Sequence, residues 1–154
     1  MSLWSSTPAE AAIAAKHASY TLAALPEARR NAALAAVHAA LVGARDDILA
    51  ANVKDLEIAR ASDPNISSSL LSRLDLSRPG KYDDMLAGIL DVSDLPDPLG
   101  KVSLRTRLDD GLVLERSSCP IGVLLVIFEA RPEVIANIAS LAIKSGNAVI
   151  LKGR

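Results

Sequence analysis

The sequence has 154 residues, half of them hydrophobic but only 3% aromatic, with a formal charge of −1. That length matches one ordinary domain of roughly 100–200 residues. The even balance of 17 basic and 18 acidic residues provides no field to draw in nucleic acid or anionic lipid, and so few aromatics leave no base-stacking surface.

No uncharged apolar run is long enough to span a bilayer. The N-terminus lacks a basic region followed by an apolar core, so it does not read as a secretion signal. The single cysteine, Cys119, excludes an internal disulfide and suits a reducing compartment. The expectation is a soluble, cytoplasmic protein that engages neither membrane nor nucleic acid.

Residues 1–6 read as a loose end. Thr7-Pro8-Ala9-Glu10 then predicts a helix start, with Thr7 as cap, Pro8 in the first turn and Glu10 placed for a capping box. This helix runs to about Ala24 and stops before Pro26. Pro26 opens a second helix to about Ala44, with Leu34, Val37 and Leu41 in helical register. From Arg45 a third stretch carries Ile48, Leu49, Val53, Leu56 and Ala59 as one stripe. Gly43 is the weak point at which the second and third stretches either join or separate. A turn at Ser62-Asp63-Pro64-Asn65 precedes a short helical piece from about Ser67 to Arg73. Arg78-Pro79-Gly80 opens a further helix with Tyr82, Met85, Leu86, Ile89 and Leu90, and Pro96-Asp97-Pro98 and Gly100 end the helical part.

From Val102 the period changes from 3.6 to 2. Val102, Leu104, Thr106 and Leu108 alternate with polar residues, Asp109-Asp110-Gly111 signals a turn, and Leu112 to Arg116 return. This is an antiparallel ribbon with at least one wet face. Two unalternating apolar runs follow, Ile121–Ile127 and Ala148–Leu151, separated by a helical stripe of Val134, Ile135, Ile138, Leu141 and Ala142. Strands without polar alternation belong to parallel sheets covered on both faces, so the economical reading is strand, crossover helix, strand. Ligands of such units sit past the carboxyl ends of the strands. Here those ends carry Phe128, Glu129, Ala130 and Arg131, and then Lys152, Gly153 and Arg154.

The expected architecture is α/β: a helical segment over residues 1–98, a hairpin over 99–118, and the start of a nucleotide-binding βαβ unit over 119–154. Two strands cannot bury both faces alone, so the chain reads as the front portion of a longer protein with an incomplete sheet.

The blocks Phe128-Glu129-Ala130-Arg131-Pro132-Glu133-Val134 and Lys144-Ser145-Gly146-Asn147-Ala148-Val149-Ile150-Leu151-Lys152-Gly153 resemble the γ-glutamyl phosphate reductase family, the proline-biosynthetic branch of the aldehyde dehydrogenase superfamily. Ile48–Leu56, Leu71–Leu76, Asp97–Val102 and Leu108–Leu112 resemble it too. The resemblance implies the opening of an aldehyde-dehydrogenase-like Rossmann domain. It also implies NADPH-dependent reduction of γ-glutamyl phosphate to glutamate 5-semialdehyde and phosphate, and a homo-oligomer built partly through the ribbon. A soft cysteine nucleophile is needed for that chemistry. In the family it lies beyond this segment, so the chain alone is expected to be inactive, and Cys119, just ahead of a buried strand, is read as structural.

For cofactor binding the resemblance points to Phe128, Lys152 and Arg154, with Lys152 near the adenosine ribose. Arg131 suits the acyl phosphate or the substrate carboxylate through its bidentate fork. A salt bridge from Arg131 to Glu129 or Glu133 is the competing reading. Glu129 falls where the superfamily has an asparagine donating to the oxyanion, a task an ionised carboxylate cannot perform. Asn52, with Asp55 three residues on, is a further substrate-contact candidate, against an interhelical hydrogen bond. His17 and His38 have no partner at metal-ligand spacing. The alternatives are another aldehyde dehydrogenase or a non-catalytic helical interaction module.

Overall fold

Thr7 starts the first helix as its residue types require. The computed structural model, which describes residues 6–153, places α1 over Pro8–Ala24. The Thr7 hydroxyl accepts from the Glu10 amide, and the Glu10 carboxylate accepts from the Thr7 amide at 2.7 Å. That capping box holds the Glu10 carboxyl below its ordinary range, chiefly through the Thr7 backbone bond. Residues 1–5 of the expected loose end, and Arg154, lie outside the described residues.

Helices α2 (Glu27–Gly43) and α3 (Arg45–Ser62) are separate, and the chain breaks at Ala44, directly after Gly43. Ser67 caps α4 (Ser68–Leu74) by accepting from the Leu70 amide. Gly80, at φ 83°, leads into α5 (Lys81–Asp94). The ribbon follows as β1 (Val102–Asp109) and β2 (Leu112–Ser117), antiparallel, with register shifts between Val102 and Leu104 and between Arg107 and Asp109. Every residue of it is exposed, so both faces are wet. Finally β3 (Val123–Phe128), α6 (Glu133–Lys144) and β4 (Ala148–Gly153) form a strand–helix–strand unit. Its strands run parallel, with Val123 opposite Ala148 and Phe128 opposite Gly153.

One core joins the helical segment to that unit. Leu34 of α2, Tyr82, Met85, Leu86 and Ile89 of α5 and Ala136 of α6 form a single buried cluster. The stripe on α3 is rotated from the expected one. Val53 is 49% exposed, whereas Asn52 is 3% exposed beside Leu56. The cause is polar: Asn52 donates its amide to the Leu74 carbonyl at 3.0 Å and accepts from the Leu76 amide at 2.8 Å. These bonds tie α3 to the α4–α5 connection.

Two expectations about the strands are corrected. The first strand is not covered on both faces: Leu125 and Ile127 are 63% and 66% exposed. Helix α1 packs chiefly on β4 and more lightly on β3, whereas α6 packs chiefly on α5 and α2 and only secondarily on β4. Cys119 is exposed rather than buried, because it lies in the extended stretch ahead of β3.

Tyr82 supplies a pH test of the core. Its hydroxyl donates to the Leu41 carbonyl at 2.7 Å, and its ring lies 4.8 Å from the Arg45 guanidinium carbon. Burial pushes the phenol above its ordinary value of 10.0, and the Arg45 charge opposes this in part. A pKa raised on folding means that this contribution is complete below the unfolded value and is lost as pH rises through the folded one. Tyr82→Phe should therefore cost about 1 kcal/mol at pH 8, one neutral hydrogen bond. In denaturant titrations the gap from wild type should shrink above pH 10, and a constant gap would contradict the assignment.

Candidate functional site

The carboxyl edge of the parallel pair gathers most of the predicted site residues. Lys152 lies opposite Ile127 and Gly153 opposite Phe128, so the two strands end flush. A Cβ on Gly153 would sit 3.5 Å from the Phe128 ring, so the half-buried ring closes over this glycine in van der Waals contact. Lys152, Glu129 and Arg131 are exposed, and among the described residues none forms an ion pair. The alternative of an Arg131 salt bridge to Glu129 or Glu133 is therefore not realised. Glu133 faces Lys81 instead, at 3.3 Å.

Between Glu129 and Arg131 the backbone turns sharply. Ala130 has φ 51°, the only positive φ on a non-glycine among the described residues. Such a conformation costs a residue with a Cβ about 1–2 kcal/mol and is often found at working sites. Pro132 then enters α6 with no side-chain cap. The positive end of the α6 dipole, with Arg131 and Lys152 nearby in sequence and strand register, favours anions at this edge, tempered by Glu129 and Glu133.

The other end of α6 sets the strand register. Gly146 donates to the Ile143 carbonyl and Asn147 to the Ala142 carbonyl, the Schellman pair that ends a helix. Gly146 has φ 68°. The Asn147 side chain then accepts from the Gly122 amide at 2.8 Å and donates to Ser145, while the Ala148 amide bonds the Gly122 carbonyl. Ser145-Gly146-Asn147 thus ends the helix and aligns both strands, so their far ends reach the site together.

Asn52 is not brought to this edge, since the α4–α5 connection engages its amide; Asp55 is exposed on α3. Two buried cations escaped sequence reasoning. Lys144, 3% exposed, donates to Glu27, Asn31 and the Ser93 carbonyl at 2.8–2.9 Å. Arg30, 2% exposed, bonds Asp97 and the Leu25 carbonyl. A helical wheel hints at Lys144, which falls among buried positions of α6, but its partners lie far away in sequence.

These elements define the class: an α/β chain in which the helices, including the crossover helix of a parallel strand pair, share one core, with a strand-end edge bearing Arg131 and Lys152 left open. No helix among the described residues is long and apolar enough to cross a membrane. No family model matches the chain. It is 60% identical over 111 residues to a probable γ-glutamyl phosphate reductase of Schizosaccharomyces pombe, a match covering 71% of this chain and 25% of that protein. It is 52% identical over 139 residues to γ-glutamyl phosphate reductase 1 of Synechocystis, covering 90% of this chain and 31% of that protein. The crystal structure of the Saccharomyces cerevisiae γ-glutamyl phosphate reductase superposes with a TM-score of 0.91 at 48% identity, over 94% of this chain and 36% of that one. The Thermotoga maritima enzyme gives 0.88 at 34% identity, over 94% and 34%.

The chain is therefore a homologue of γ-glutamyl phosphate reductases, as its motifs imply. It spans about a quarter to a third of the length of the curated relatives it matches.

Proposed function

We propose that the protein carrying this chain reduces γ-glutamyl phosphate to glutamate 5-semialdehyde and phosphate with NADPH, in proline biosynthesis. The observation that carries the reading is the 60% identity to a protein of that name, together with a flush strand-end edge bearing the family's motif residues. The cofactor would supply the hydride. Lys152 would meet its ribose and 2′-phosphate, with Phe128 beside it. This fits the exposed amine of Lys152 and its register next to the Phe128–Gly153 pair. Arg154 would stand next along the chain.

Arg131 would hold the acyl phosphate or the substrate carboxylate through its paired N–H groups. Glu129, next to it, would line the substrate edge as an acceptor, since an ionised carboxylate cannot donate to an oxyanion. The cysteine nucleophile would come from outside these 154 residues, leaving Cys119 without a chemical role. The ribbon, wet on both faces yet exposing Leu104, Leu108, Leu112 and Leu114, would serve as a contact between subunits.

The test is run in the reverse direction on the full-length protein, following phosphate-dependent reduction of NADP by glutamate 5-semialdehyde. Arg131→Ala should raise KM for phosphate or semialdehyde at least about tenfold, the loss of one charge-assisted pair. Lys152→Ala should raise KM for NADP by a similar factor and for NAD much less. Wild-type protein that consumes no NADP, or does so without phosphate, would refute the assignment.

A further inference from the structure

The turn that presents Glu129 and Arg131 is thinly supported. Among the described residues its side chains make no hydrogen bond, Ala130 carries the strained φ of 51°, and Pro132 leaves α6 uncapped. Local backbone bonds remain, from the Val134 amide to the Arg131 carbonyl at 3.1 Å and from the Ile135 amide to the Pro132 carbonyl at 3.3 Å. Two residues beyond Arg131 stands Glu133, the first residue of α6. Its Oε2 is buried without a hydrogen bond, and the cation that faces it is Lys81 at 3.3 Å.

Lys81 is well placed as an anchor. It is the first residue of α5, its ammonium also donates to the Arg73 carbonyl, and its side chain is 18% exposed. Helix α5 holds most of the central cluster, so its first turn is backed by the best-packed part of the molecule. A buried carboxylate oxygen neutralised by one cation is costly to leave alone. Without Lys81, Glu133 is free to change rotamer toward solvent, and the first turn of α6 loses this side-chain link to α5, keeping at its start only the two local backbone bonds.

We infer that Lys81 is a positioning residue for the Glu129–Arg131 turn, acting through Glu133 and touching neither substrate nor cofactor. Its consequence for catalysis rests on the proposed role of Arg131; its hold on the turn does not.

Two measurements separate these. In amide exchange of this chain, Lys81→Met should speed exchange about tenfold at the hydrogen-bonded amides of Val134 and Ile135 while the α5 core stays protected, and Lys81→Arg should restore the wild-type rates. Unchanged exchange in Lys81→Met, or an increase spread evenly over the chain, would overturn the inference. In the full-length protein, Lys81→Met should raise KM for the substrate that Arg131 holds about tenfold with kcat within about twofold, and Lys81→Arg should stay near wild type. Equal KM values with a loosened turn would overturn the catalytic half. If wild type shows no reductase activity, the functional reading fails, and exchange still decides whether Lys81 holds the turn.

Discussion

Gly146→Ala is expected to be among the most damaging single-methyl changes in this chain. Two independent penalties coincide. The residue sits at φ 68°, where a side chain costs about 1–2 kcal/mol. An added Cβ would also lie 2.8 Å from Leu99 Cδ1 and 3.2 Å from Pro120 Cγ. Leu99 can shift, but Pro120 lies just ahead of β3, and overpacking of this kind costs about 1–3 kcal/mol. The sum, about 2–5 kcal/mol, should lower Tm by about 5–15 °C for a chain of this size. Gly43→Ala is the matched control: it lies at the end of α2 with nothing within 4 Å of the added carbon and no positive φ, so Tm should hold or rise slightly. Circular dichroism melts of both variants decide the matter. A Gly146→Ala protein that melts with wild type would show that the α6–β4 junction tolerates side chains.

Lys144→Met should be at least as disruptive. The ammonium of Lys144 ties the end of α6 to the start of α2, through Glu27 and Asn31, and to the end of α5, through the Ser93 carbonyl. Methionine fills a similar volume but leaves three acceptors without their donor. Loss of one partner from a buried charged network costs about 3–5 kcal/mol. The lower part of that range applies, because Glu27 is 41% exposed and can be rehydrated. Glu27→Gln should cost much less, about 1 kcal/mol, since the ammonium keeps its other two acceptors. Urea titrations of the two variants provide the comparison. Equal losses would mean that the ion pair, rather than the three-way knot, carries the stabilisation.

Both predictions concern residues whose surroundings are legible in sequence to different degrees. The capping box at Thr7–Glu10 could be read directly, since all its partners lie within three residues. The short α4 and the hairpin turn at Asp110-Gly111 are legible for the same reason, each depending on local backbone preference, whereas Gly43 marks a weak point in the sequence without deciding that the helix ends there. The parallel pairing of β3 and β4 followed from two unalternating apolar runs.

Hydropathy failed where a polar residue is buried by a distant partner. Asn52 stands outside the apolar stripe read on α3, yet it is inside, making the hydrogen bonds between elements that competed with substrate contact, because the backbone at Leu74 and Leu76 meets it there. Lys144 bonds residues 113 and 117 positions away, a spacing no periodicity reports. The left-handed Ala130 carries no sequence signal, since alanine does not ordinarily adopt that conformation. At the strand-end edge, Phe128, Glu129, Arg131 and Lys152 were identified through their motif, whereas the Lys81–Glu133 support needed coordinates.

The cluster shared by α2, α5 and α6 has a consequence for any attempt to dissect the chain. Its contributors come from both sides of the β1–β2 ribbon in sequence. Severing the backbone at the exposed tip near Gly111 would break the covalent path and leave that joint interior intact, so the two pieces should stay clasped as a non-covalent pair. Produced separately, the first piece would keep five of the six clustered residues but expose the face that receives α6, and the second would carry Ala136 with nothing to bury it against.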